Sequence, residues 1–430
     1  MFNHKTGRRA ILVFSFLLLT VLGFSQVRIS SPYSRYGVGL LRRGDYNIVL
    51  SSMGGISNAI QSPYYINFAN PASYSGFDST SFIFDAGVDT ELTTLKSNDV
   101  SQQSMYGSLA HVLFGFPITR WCKVSMGVLP FSDVGYNIVQ ENHSENIGRT
   151  LTQYEGTGGI NQAYLGAGFS VTKHLSLGFN LIYYFGTMNR FRKVYFPDSL
   201  STYVNSNLEN KIKVSDLSVN FGAQYKVPLK NDLSLIAGLT FALENKMRAH
   251  REYIANTFQG GLGADEFFLD TVAYIPEEKG TILIPAFIGA GLVLEKQNHW
   301  LIGADFDFQN WEKFRIFDYP DSLENSFEIR VGGQYIPNKK SLNSYWRRMT
   351  FRAGARYTQL PLVFRNQQIN EFGISFGFSL PLRRSKSTFN FGFEFGRRGT
   401  TAEDLVQENF IKFNFGITLY ERWFVRRRYK

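Results

Sequence analysis

Residues Thr388–Arg397 read Thr-Phe-Asn-Phe-Gly-Phe-Glu-Phe-Gly-Arg. Phe389, Phe391, Phe393 and Phe395 take every second position, with Asn390, Gly392, Glu394 and Gly396 between them. Side chains two apart share one face of a strand, so this stretch is apolar on one face only. The same alternation runs through Glu371–Leu380 and Ile411–Leu419. A soluble sheet sets Lys, Glu and Thr on its wet face. Here that face is mostly Gly, Ser and Asn, which favours an enclosed interior with an apolar wall outside.

Working outward from these segments, strands are expected at 79–90, 105–116, 122–139, 159–172, 174–196, 212–227, 233–245, 279–294, 299–312, 325–336, 349–359, 369–380, 388–397 and 408–420. Fourteen is an even number, as an antiparallel barrel in a bacterial outer membrane requires. Connections alternate in length. Pro117–Trp121, Pro228–Asp232, Glu295–Asn298 and Pro381–Ser387 are short, whereas Glu91–Ser104, Gln140–Gly158, Pro197–Lys211 and Lys246–Glu278 read as long loops. Short turns on one rim and long loops on the other fit a barrel whose short side is periplasmic. Trp121, Trp300, Trp346 and Trp423 fall near the short turns, where an interfacial girdle belongs.

Composition agrees. Of 430 residues, 16% are aromatic and only 19% charged, with 40 Phe, 23 Tyr and 39 Gly. That aromatic load excludes a disordered chain. The single Cys122 excludes an intramolecular disulfide, and His4, His111, His143, His174, His250 and His299 lack metal-ligand spacing. No cofactor or metal is expected.

The N-terminus reads as an export signal over 1–25. Lys5, Arg8 and Arg9 precede an apolar run from Ala10 to Phe24, with Gly23 and Ser25 before a cut at Gln26. Its removal lowers the formal charge from +10 to about +7. No later stretch is apolar and long enough to span a bilayer as a helix, so membrane residence requires a closed barrel. Residues 26–78 have no sustained period but carry Tyr33, Tyr36, Ile48, Met53, Tyr64, Tyr65 and Phe68. A fourteen-stranded barrel is wide enough to need a filler, and this segment is read as a plug inside it. The barrel then spans 79–420, and residues 421–430 form a basic periplasmic tail.

Local motifs resemble the FadL family, the outer-membrane channels for long-chain fatty acids and aromatic hydrocarbons. Asn70-Pro71-Ala72 looks like the family's hatch motif. Gly127-Val-Leu-Pro-Phe131 is similar to its strand-three segment, and Asn310-Trp311-Glu312-Lys313-Phe314 to its Trp-x-x-Phe element. Phe351-Arg-Ala-Gly-Ala-Arg-Tyr357 resembles its Arg-x-Gly-x-x-Tyr strand. The order of these motifs covers nearly the whole chain after the signal. The aromatic enrichment looks like the Bacteroidota branch, where similar barrels include a secretion component.

The resemblance implies a non-catalytic, hatch-gated channel in a Gram-negative outer membrane, taking hydrophobic small molecules. The alternative is a docking barrel of a secretion or assembly complex, with a periplasmic or surface protein partner. Pro130, flanked by Gly127 and Gly135, marks either a lateral opening in strand three or an ordinary bulge. Phe258, Phe267 and Phe268 read as a hydrophobic capture patch or as loop packing. By alternation Asp305, Asp307, Glu328, Arg330, Arg352, Arg356, Glu371, Glu394 and Lys412 face the lumen. Arg352, Arg356, Glu394 and Lys412 are candidate contacts for a ligand's polar end, or members of internal salt bridges. Asp305 and Asp307 lack the His, Ser or metal pattern of an enzyme. The basic turns around Lys339, Lys340, Arg347, Arg348, Arg383 and Lys386 suit anionic lipid or an acidic protein, and nucleic acid is not an expected partner of an exported barrel.

Overall fold

A computed structural model describes residues 30–42, 47–97, 100–145, 148–197, 203–341, 343–383 and 385–422. The export signal at 1–25, Trp423 and all of the tail beyond Arg422 lie outside the described residues.

Fourteen antiparallel strands close into a barrel. They are β1 (Ser81–Lys96), β2 (Ser101–Pro117), β3 (Cys122–Ser144), β4 (Gly148–Ser170), β5 (Leu175–Tyr195) and β6 (Asn205–Pro228). β7 is broken in two, Leu233–Ala242 and Asn245–Gln259, and so is β8, Phe267–Ile284 and Phe287–Lys296. Then come β9 (Trp300–Gln309), β10 (Ser326–Tyr335), β11 (Thr350–Phe364), β12 (Gln367–Pro381), β13 (Thr388–Arg398) and β14 (Gln407–Arg422). β14 pairs with β1 along its whole length, from Gln407↔Lys96 to Arg422↔Ser81, and this closes the wall.

The alternation is inverted relative to a soluble protein. In β12, Phe372, Ile374 and Phe376 are exposed on the outside, while Glu371, Ser375 and Ser379 are buried inside. The outer band of Phe, Leu, Ile and Val suits hydrocarbon rather than water. Aromatic pairs brace it across strands, as in Phe378–Phe391 at 5.1 Å and Phe393–Phe413 at 5.2 Å between ring centroids.

Residues 30–42 and 47–78 lie against the inner wall. A short helical turn, Ile48–Ser51, is capped by Asn47, whose side chain accepts from the Leu50 N–H. A 3₁₀ turn, Pro71–Gly76, is capped the same way by Asn70. The small inner-face residues of the wall now have a reason. A Cβ at Gly178, Gly222, Gly238, Gly332 or Gly354 would run into Pro71, Asn70, Asn58 or Met53 of this segment. Three apolar clusters join segment to wall. The first unites Val49, Leu50, Met53 and Ile56 with Ile236 and Val293. The second packs Ile66, Phe68 and Tyr74 against Leu113 and Tyr164. The third, at the long-hairpin end, gathers Tyr33, Val38 and Leu40 with Met188, Trp311, Phe314 and Leu323.

The fourteen strands fall where the alternation places them, but the four long loops are a misreading. Most of Glu91–Ser104, Gln140–Gly158 and Lys246–Glu278 is strand, and Pro197–Lys211 ends in strand from Asn205. These stretches are polar on both faces, as in Glu141-Asn142-His143, so the hydrophobic period fades while the ladder continues. The capture patch changes accordingly. Phe258, next to last in β7, is only 4% exposed and packs edge-on against Tyr195 at 5.4 Å, so it offers almost nothing to solvent. Phe267 and Phe268 open β8 and are 66% and 64% exposed.

Candidate functional site

The ladder between β2 and β3 is short. It runs from Pro117↔Lys123 to Val112↔Val128 and stops. Beyond that point β2 stays paired with β1, and β3 with β4, so two strand edges part. Pro130 stands at the fork without an N–H to give a neighbour. Phe131 beside it is the extra residue of a bulge, with Pro130 opposite Asn161 and Ser132 opposite Ile160. Gly127 lies just before the fork, where a Cβ would press on the Leu113 backbone. Gly135 is a regular strand position opposite Thr157. The bulge, one of the two readings of Pro130, is present, and it stands where the β2–β3 ladder ends.

The inner segment enters this fork. Leu40 and Leu41 pair antiparallel with Asp133 and Ser132 of β3. The Arg42 N–H donates to the Phe131 carbonyl at 3.0 Å, and the Ser31 N–H to the Gly135 carbonyl at 2.8 Å. Backbone that β2 leaves unpaired is thus satisfied from inside. Arg42 then ties the edges together. Its guanidinium donates to Asp133 of β3 at 2.6 Å, Asp89 of β1 at 2.9 Å and Ser108 of β2 at 2.8 Å.

Two cavities meet at Leu41 and Arg42. One, of about 110 Å³, has an apolar side formed by Phe68, Phe131, Ile182, Tyr184 and Phe241. The other, of about 60 Å³, is lined by charge, including Glu91, Glu328, Arg356 and Arg398.

All nine lumen-facing charges sit on the inner face. Arg356 pairs with Glu371 at 2.5 Å and Glu394 at 2.7 Å, and Arg398 with Glu371 at 2.5 Å and Glu408 at 2.6 Å. Lys412 lies 3.8 Å from Glu91, and Arg352 donates to Ser379 at 2.5 Å. Arg330 binds Asp307, while Asp305 accepts the N–H groups of Ser57 at 2.6 Å and Asn58 at 2.8 Å. Arg330, Arg356 and Lys412 thus lie against carboxylates of neighbouring strands and Asp305 holds the segment, whereas the buried Glu328 carboxylate has no partner among the described residues. Asn70-Pro71-Ala72 is equally built in. The Asn70 amide donates to the Asn58 carbonyl at 2.6 Å and to Ala223 and Leu239 of β6 and β7 at 3.3 Å. Pro71 and Ala72 sit flush on Gly178.

At the short-turn rim, Asp78 accepts from Tyr420 and lies 3.2 Å from Lys386. Partial burial opposes ionisation of Asp78, but these hydrogen bonds outweigh it and hold its carboxyl below the usual range. The basic turns focus on the segment there. The Lys339 and Lys386 ammonium groups lie 4.0 and 5.1 Å from the Tyr64 ring centre.

A family profile described as BamG matches residues 8–430. The chain belongs to the BamG family. No curated protein sequence matches this family member. Its fold is that of solved hydrophobic-compound channels. The CymD monoaromatic hydrocarbon channel superposes with a TM-score of 0.58 at 14% identity, over 89% of this chain and 98% of that one. The Ralstonia pickettii toluene transporter TbuX gives 0.56 at 13%, over 91% and 99%. A Pseudomonas aeruginosa FadL homologue gives 0.54 at 12%, over 90% and 99%. At such identities the likeness establishes the barrel of this BamG-family chain. The resemblance read from its motifs agrees with that fold.

Arg42, Asp89, Asp133 and Asn58 were not legible as site residues. Their partners lie tens to hundreds of residues away, and no local spacing announces them.

Proposed function

We propose that this BamG-family barrel is an outer-membrane channel for small hydrophobic compounds, with residues 26–78 as its hatch. The parted β2–β3 edges at Pro130, backed by a cavity with an apolar side, carry this reading. A hydrophobic molecule leaving sideways passes into hydrocarbon and never meets water, which suits a solute of low solubility. The hatch motif Asn70-Pro71-Ala72 anchors the segment to the far wall, and Arg42 closes the near side. Phe267 and Phe268 present apolar surface above the rim for capture. The export signal, a Gram-negative outer membrane of the Bacteroidota type, and contact with its lipid belong to the same reading. Arg356, Glu394 and Lys412 act as wall braces, and a ligand carboxylate would have to displace Glu371 or Glu394 to reach Arg356.

The test is uptake of a radiolabelled alkane or aromatic hydrocarbon into proteoliposomes. Wild type is expected to exceed protein-free vesicles, and Phe131→Arg to abolish the difference. Equal uptake with and without protein overturns the channel.

One observation favours a docking barrel. From Phe267 to Ile275, β8 pairs with β7 alone among the described residues, and its other edge has no strand partner among them. Leu269, Val272, Tyr274 and Ile275 are exposed along it. An open apolar edge accepts a strand from a partner protein. Loss of a copurifying protein on deleting 260–278, with hydrocarbon uptake absent throughout, would favour this second reading.

A further inference from the structure

The wall has a second seam. β6 pairs with the lower half of β7 up to Asn220↔Ala242 and with the upper half from Val214↔Ala249. Between these pairs, five residues of β6 face six of β7 with no ladder. β7 and β8 break at the same level, at Leu243-Glu244 and Pro285-Ala286, which the pairs Ala242↔Phe287 and Asn245↔Ile284 bracket. One side chain spans the seam. The Asp216 carboxylate of β6 accepts the Arg248 N–H of β7 at 2.7 Å and its guanidinium at 3.4 Å.

The larger cavity reaches this seam. Its wall includes Ser218 and Asn220 of β6, Leu243 and Asn245 at the β7 break, and Pro285 at the β8 break. Outside, Leu217 and Leu243 are 53% and 52% exposed, an apolar collar around the seam. Inside, the charges on the cavity are matched: Arg42 holds Asp89 and Asp133, and Asp307 holds Arg330. The polar groups left to a guest are neutral. Asn220 Oδ1, Gln309 Oε1 and Asn245 Nδ2 line the cavity and have no partner among the described residues. With the Ser57 hydroxyl, which also lines the cavity unpartnered, they offer neutral acceptors and donors to a hydroxyl or amide, and nothing to balance a carboxylate.

We infer that the β6–β7 seam is a second side entrance to this cavity, latched by Asp216 and Arg248, for molecules with an apolar body and a neutral hydrogen-bonding end. The inference rests on the channel reading and adds an entrance and a ligand class to it.

The experiment is photolabelling of the full chain in mild detergent with a diazirine-bearing dodecanol and the matching dodecanoate. Labelled residues are mapped by mass spectrometry, with excess plain dodecanol as competitor. Competed labelling by the alcohol is expected on Phe68 or Phe131 and on Leu217 or Leu243, with the carboxylate far weaker. Asp216→Asn removes the charge from the latch and should speed labelling roughly tenfold. Asn220→Trp, which fills the seam from inside, should abolish competed labelling at Leu243. Competed labelling at Phe131 without any at Leu217 or Leu243 overturns the side entrance and leaves the channel standing. Equal labelling by alcohol and carboxylate overturns the ligand class. No competed labelling anywhere in the cavity removes the channel reading and this inference together.

Discussion

Removing the Arg42 side chain tests the near closure most directly. In Arg42→Ala, Asp89 and Asp133 lose their shared cation while both stay buried. Breaking a buried pair by deleting one partner costs about 3–5 kcal/mol. The strand ladders around the rest of the barrel do not depend on Arg42, so the cost falls on the docking of residues 31–42 in the fork. At about 1.4 kcal/mol per factor of ten, the undocked population rises roughly two to three and a half orders of magnitude. The assay is native hydrogen exchange. The Ser31 N–H, bonded to Gly135, is protected only while the segment is docked. Its exchange should accelerate by that factor, while amides of the β12–β13 ladder stay unchanged. Arg42→Lys keeps the charge but not the three-way fork of donors, and should fall between. Exchange at Ser31 within about threefold of wild type in Arg42→Ala would refute the reasoning, because the clasp would then carry none of the docking energy.

Other outcomes are equally specific. Gly354→Val drives a side chain into the Met53 backbone, and its detergent-solubilised barrel should release residues 47–60 to protease while β1–β14 pairing persists by circular dichroism. Asn70→Ala loses a turn cap and both wall contacts, and should lower the protection of residues 70–76 by about 1–2 kcal/mol in hydrogen exchange. The Asp78–Lys386 contact has a defined pH window. The carboxyl's pKa is lowered by folding, so its contribution is present at neutral pH and lost as pH falls through the folded value. The ammonium's is raised, so its contribution holds below the usual lysine value and is lost as pH rises through the folded one. Asp78→Asn should therefore differ from wild type in exchange near Tyr64 and Phe77 at neutral pH, and the difference should close in strong acid. Phe267→Ser with Phe268→Ser should cut hydrophobic-dye binding by the detergent-free nanodisc protein and leave thermal unfolding unchanged.

The wall was legible because membrane strands obey one rule along their length. Phe389 to Phe395 alternates without exception, and the structure sets those rings outside. The rule fails where a strand leaves the membrane. Glu141-Asn142-His143 carries no apolar face, yet it stays in β3 because β4 pairs beside it. The lumen charges were legible from parity alone, but their pairings were not. Arg356 reaches Glu371 and Glu394 on two other strands, a geometry that only the register fixes. Pro130 announced the fork through its missing N–H. Its counterpart at Asp216 gave no such sign, since a carboxylate in a strand is ordinary until the neighbouring ladder is seen to lapse.

The pairing of β14 with β1 joins opposite ends of the chain. No part of the wall N-terminal to Gln407 can become a ring until the last strand has arrived. Until then the sheet has two open edges, and residues 30–42 and 47–78 have only part of their wall to pack against. Loop closure over so long a chain is slow, whatever the stability of the product. Asn70, Asn58 and Met53 lie against glycines of β6, β7, β10 and β11, so a ring shut without this segment would enclose a void along those strands.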